Sequence, residues 1–81
     1  MEPVIKGHPR LRMAERQVTL DDVKSVVADY SYSTTSKSGT ATVLFGVPRN
    51  DGRVLKVVLV GSPPRQPPTV KTVAWKDEED V

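Results

Sequence analysis

The chain has no cysteine and a single histidine among its 81 residues. The first absence excludes a disulfide scaffold and a thiolate zinc site, and the second excludes a site built from several histidines. No cofactor and no metal is therefore expected. Long apolar runs are also missing. The longest, Val57 to Val60, is far short of the ~20 residues needed to span a bilayer. Met1 to His8 contains no apolar stretch of the kind a secretory signal carries. Together these absences make a cytoplasmic protein without membrane contact the expectation. There is no Walker loop, no G-x-G-x-x-G and no nucleophile elbow. A chain this short hides only roughly 60% of its unfolded surface, so a shallow cleft is a more natural site than a deep pocket.

What is present is charge, unevenly placed. The formal net charge is +2, but four of the ten acids form the run Asp77-Glu78-Glu79-Asp80. Residues 1–76 carry all twelve lysines and arginines against six acids, a surplus of +6. A basic body of this kind suits an anionic partner such as nucleic acid.

The pattern along the chain divides it into an arm at residues 1–7, one α+β domain at residues 8–76 and an acidic tail at residues 77–81. His8-Pro9 opens a first helix, proline being suited to a first turn. Leu11 and Ala14 are expected to form its inner edge, and Gln17-Val18 to end it. Thr19-Leu20-Asp21-Asp22 reads as a capping box that starts a second helix, with Val18 and Val23 as its staple. Leu20, Val23, Val27 and Tyr30 follow helical spacing, Val26 widens the stripe, and the helix is expected to end near Asp29. From Tyr30 the period becomes that of strands: Tyr30 to Ser36, Thr40 to Val47, Arg53 to Val60 and Thr69 to Trp75. Val43, Phe45 and Val47 share one face. Asn50-Asp51-Gly52 is a hairpin signal, and the run Arg53 to Val60 is expected at the centre of the sheet. Between the last two strands, the prolines from Pro63 to Pro68 exclude sheet pairing. Pro64-Arg65-Gln66-Pro67 matches the minimal pattern of a polyproline ligand, but a stiff spacer between two strands is the better reading. The expected architecture is α-α-β-β-β-β, two N-terminal helices packed on a four-stranded, mostly antiparallel sheet.

Three residues stand out for chemistry. His8, Arg12 and Arg16 recur at four-residue spacing along one face of the first helix. Cations in a row repel one another, so the arrangement makes sense around a bound anion. Arginine grips phosphate bidentately, and histidine exchanges protons near neutral pH. The plainer alternative is a solvated face on which Glu15 neutralises one charge. RNA cleavage without metal would need a base, a cation for the pentavalent phosphorus and an acid for the leaving oxygen. His8 suits base or acid, and Arg12 and Arg16 suit the charge. Glu15, Tyr30, Tyr32 and Lys56 all qualify for the remaining role. Lys56, Lys71 and Arg53, on the strands, are the candidate nucleic-acid contacts; the alternative is a solvent-facing sheet surface. Trp75, ending the last strand, reads as a core or rim anchor more readily than as a base-stacking platform.

His8, followed by Arg12-Met13-x-Glu15-Arg16 and Val18-Thr19-x-x-Asp22-Val23, resembles the opening of the family called domain of unknown function 4258. Val70-Lys71-Thr72-Val73-Ala74-Trp75 is similar to that family's closing strand, so the resemblance runs from His8 to about Asp77. The helical motif is its specific part. The resemblance implies a small toxin-like fold of the RelE and EndoU type, in which two helices precede a four-stranded sheet. It further implies an RNA-acting, toxin-type endoribonuclease that needs no metal, with His8, Arg12 and Arg16 at the family's polar helix positions and an antitoxin or other protein as partner. The rival reading is a non-catalytic module that binds nucleic acid or protein.

Overall fold

The computed structural model describes residues 3–76. The acidic tail lies outside the described residues. The elements are β1 (Val4–Ile5), α1 (Gly7–Glu15), α2 (Leu20–Asp29), β2 (Tyr32–Thr35), β3 (Ala41–Phe45), β4 (Leu55–Val60) and β5 (Thr69–Trp75). They form one five-stranded sheet in the order β1-β5-β4-β3-β2, with β4 at its centre. The four-stranded, helices-first expectation is therefore corrected. A strand precedes the helices and joins the sheet parallel to β5, with Val4 opposite Thr69 and Ile5 opposite Val70. Val4 N–H donates to the Pro68 carbonyl at 2.8 Å. Two residues are too few to show a strand period, so only a distant partner can define them. The other strand pairs are antiparallel, as hairpin-length connections require. Lys71 is the unpaired extra residue of a bulge in β5, between Val70 opposite Leu59 and Thr72 opposite Val58.

Both helices pack on one face of the sheet. Met13, Val18, Val23 and Val26 meet Leu44, Leu55, Val57, Leu59, Val70, Val73 and Trp75 in one core. On α1 the inner edge is Pro9 and Met13, whereas Leu11, expected inside, is 59% exposed. Pro9 and Met13 are four apart on one stripe, and Leu11 stands roughly 200° round the helix from each. On α2, Val23 and Val26 are buried and Val27 is half-buried, while Leu20 and Tyr30 at its ends are exposed. Val43 and Phe45 do share a face, but it points away from the helices; Leu44 supplies β3's contribution to the core. Alternation along a strand fixes which residues share a side and leaves open which side the helices cover.

The ends of both helices follow from local chemistry. α1 stops in a Schellman turn: Gln17 N–H donates to Ala14 O at 3.4 Å and Val18 N–H to Met13 O at 2.8 Å. Met13 and Val18 then meet in the core. The turn puts Gln17 at φ 57°, a left-handed conformation in which a β-carbon is strained. Gln17→Gly is therefore expected to raise stability by about 1 kcal/mol. A urea titration showing no gain would remove the strain argument.

α2 starts on the capping box. Asp22 N–H donates to Thr19 Oγ1 at 3.1 Å, and Thr19 N–H donates to Asp22 Oδ2 at 3.0 Å. Partial burial pushes the Asp22 carboxyl up, but hydrogen bonds from the Thr19 backbone, from Arg49 and from the Thr19 side chain outweigh it. The net shift is downward. The unfolded chain thus takes up its proton at a higher pH than the folded one. Stability from this group is complete above the ordinary aspartate value, ~3.9. It falls as the pH drops through the lower folded value. Asp22→Asn is expected to flatten this part of the acid limb, as read by thermal melts between neutral pH and the acid transition.

Candidate nucleic-acid interface

Four elements converge at one end of the sheet, where β3, β4, β5 and the close of α1 meet. The β3–β4 hairpin is closed by Gly52 N–H donating to Arg49 O at 2.8 Å, with Gly52 at φ 83°. Asp51 Oδ1 accepts from Arg53 N–H at 3.0 Å. These bonds set the two flanking arginines side by side, and Arg49 N–H donates to Arg53 O at 2.9 Å. Both side chains then turn onto Trp75. The Arg53 guanidinium lies 4.0 Å from the ring centroid, and that of Arg49 lies 5.4 Å away. The indole is 4% exposed, and its N–H donates to the Arg16 carbonyl at 2.8 Å, across 59 residues of sequence. Trp75 is thus an anchor that ties the last strand to the end of α1.

Acids are interleaved with these cations. Arg49 Nη1 is 3.0 Å from Asp22 Oδ1, which links the hairpin to the cap of α2. Glu15 Oε1 sits 2.9 Å from Arg12 Nη1 and 3.8 Å from Arg16 Nη1. The carboxylate between them relieves the repulsion that the spacing alone implies. With Asp51 in the hairpin as well, Arg12, Arg16, Arg49 and Arg53 outnumber Glu15, Asp22 and Asp51 by one charge.

The far side of the same sheet end carries a different set. Tyr32, Phe45, Lys56 and Ala74 are register partners in one row across β2 to β5. The Tyr32 and Phe45 rings stack at 4.5 Å with 14° between their planes. Lys76 Nζ lies 5.9 Å from the Phe45 centroid. Lys56 is only 8% exposed, an uncommon burial for a lysine.

Of the six residues singled out from the sequence, the structure gathers Arg12, Arg16 and Arg53 at this end through Glu15 and Trp75. Lys56 is at the same end but on the opposite face. His8 is exposed in the first turn of α1, roughly 12 Å along the helix from Arg16 at 1.5 Å per residue. Lys71 is exposed at the bulge, away from the cluster. The sequence reading missed Arg49. Its signal was its position, since residues that bracket a tight hairpin turn stand opposite one another.

A second concavity holds none of the six. Beside α2, the helix side of the sheet leaves a groove of about 610 Å³ that runs over β2, β3 and Leu59 of β4. Val27 of α2 and Tyr30, the residue after it, form one wall, Pro64 and Pro68 the other, and Leu44 and Leu59 the floor. Among the described residues there is no group of three or more His, Cys, Asp or Glu placed to hold a metal. No described helix is long and apolar enough to cross a membrane. No family model, no curated protein and no solved structure matches the chain.

Proposed function

We propose that the protein acts on RNA, holding the phosphate backbone at the arginine cluster around Trp75. In its catalytic form it is a metal-independent endoribonuclease of the RelE-like toxin type, with His8, Arg12 and Arg16 doing the chemistry. The supporting observation is the stacking of the Arg49 and Arg53 guanidiniums on one buried indole that also bonds the Arg16 carbonyl, which brings the end of α1 to the same place. Stacking holds a guanidinium plane in place while leaving N–H donors at its edge, the geometry that grips phosphate bidentately. The sequence resemblance between His8 and Val23 points to the same class of substrate.

The non-catalytic reading draws on a specific observation as well. His8 is distant from the cluster, and Arg12 is engaged by Glu15. An RNA-binding module does not need His8.

Binding of a labelled single-stranded RNA, measured across rising salt, tests the common part of both readings. Four arginine–phosphate contacts give a slope of log affinity against log salt of about −3. A fourfold rise in salt should then weaken binding roughly 50-fold. Arg49→Ala and Arg53→Ala should each make the slope shallower by about 1, whatever the RNA sequence. Affinity that is indifferent to salt, or to both substitutions in a folded protein, would refute the proposed interface.

A further inference from the structure

The sheet face turned away from the helices carries a pair of aromatic rings at its edge. Tyr32 and Phe45 stand opposite each other on β2 and β3, and their stacked rings lie 4.5 Å apart with 14° between the planes. β2 is the last strand on its side of the sheet. The ring face of Tyr32 turned away from Phe45 therefore looks past the edge, and the residue is 49% exposed. The neighbouring row on this face is Thr34, Val43, Val58 and Thr72. All four are smaller, so the two rings stand above them.

The charges near the rings are of one sign. Lys56 continues the row of Tyr32 and Phe45, and the exposed Lys76 comes within 5.9 Å of the Phe45 centroid. Neither row contains an acid. A cross-strand aromatic pair also holds an edge strand in register, but that role needs only the ring faces turned toward each other. The outward face of Tyr32 is left for a planar ligand to continue the stack, and the cations suit a ligand with negative charge. An unpaired nucleobase on its phosphate backbone has both properties. An apolar protein segment laid here would have to cover the Lys76 ammonium, which costs desolvation without a partner charge.

We infer that Tyr32 is a stacking platform for one unpaired base of RNA, with Lys76 beside the neighbouring phosphates. This rests on the RNA reading above and deepens it. The arginine cluster lies at the same end of the sheet on its other face, and β5 and β2 are separated by roughly 14 Å at ~4.8 Å per strand. A short RNA reaches from one to the other. The platform favours single strands, because the bases of a duplex are already stacked on one another.

Binding of a short labelled oligoadenylate, compared with the same ribose-phosphate chain lacking its bases, tests this. The wild type is expected to bind the oligoadenylate about tenfold more tightly. Tyr32→Leu, confirmed as folded by circular dichroism, should lose that preference. Its salt slope should stay that of the wild type, since a stacked base releases no counterions. Tyr32→Phe keeps the ring and should keep the preference. Equal affinity of the wild type for both chains, with a steep salt slope, overturns the platform and leaves the arginine interface standing. A preference retained in Tyr32→Leu does the same. A base preference lost in Tyr32→Leu but indifferent to salt supports the platform and removes the arginine interface. Binding of neither chain overturns both.

Discussion

Trp75→Ala is expected to leave the protein largely unfolded at body temperature. The indole belongs to the core shared by α1 and the sheet, and its N–H satisfies the Arg16 carbonyl at 2.8 Å. Truncating a buried tryptophan costs about 3–5 kcal/mol through lost burial and the cavity left behind. The orphaned carbonyl and the two unstacked guanidiniums add to that. A domain of this size has roughly 4–12 kcal/mol in total, so the loss removes between about a quarter and all of its stability. Trp75→Phe separates the contributions, keeping most of the ring and losing the N–H, for a cost of about 1–2 kcal/mol. Because this is the sole tryptophan, unfolding must be followed by circular dichroism rather than by its fluorescence. A wild-type urea midpoint in Trp75→Ala would mean that the anchor is dispensable.

His8→Ala is expected to reduce metal-free RNA cleavage by about 10²–10⁴-fold, the usual worth of a general acid or base. In the proposed reaction a base removes the 2′-hydroxyl proton, the oxygen attacks phosphorus, and an acid protonates the departing 5′-oxygen. Arg12 and Arg16 stabilise the charge on the phosphorus oxygens between those steps. His8 does not belong to the arginine cluster, so its loss should leave RNA affinity unchanged. Arg12→Ala should lose cleavage too, with a modest loss of binding. That split between cleavage and affinity distinguishes the ribonuclease from the plain RNA binder. Cleavage absent from the wild type, with salt-sensitive binding intact, would establish the binding module and remove the catalytic proposal. The assay belongs in a chelator, comparing wild type and both variants on the same RNA preparations.

The parts of this protein that the sequence determined are those whose cause is local. Thr19 and Asp22 cap α2 because their side chains reach backbone groups three residues away. Asn50-Asp51-Gly52 turns the chain because Gly52 tolerates a positive φ. The position of β4 at the sheet centre followed from a run rich in β-branched and aliphatic residues, broken only by Lys56. The placement of Trp75 as an anchor was legible from its type and its place at a strand end. What the tertiary structure alone decided involves residues far apart in the chain. β1 exists because β5 offers it a free edge, and Val4–Ile5 has no pattern of its own. Leu11 lies outside and Leu44 inside because contact with the other layer selects one stripe of α1 and one side of β3. The arginine cluster was only half visible. Arg16 appeared in a stripe with His8 and Arg12, and Arg53 as a strand cation with Lys56 and Lys71, and nothing local to either announces that the Arg16 carbonyl and the Arg53 guanidinium meet at one buried indole. Periodicity and capping report interactions within a few residues, whereas a binding surface is assembled by chain crossings, and these are fixed only when the sheet and helices pack.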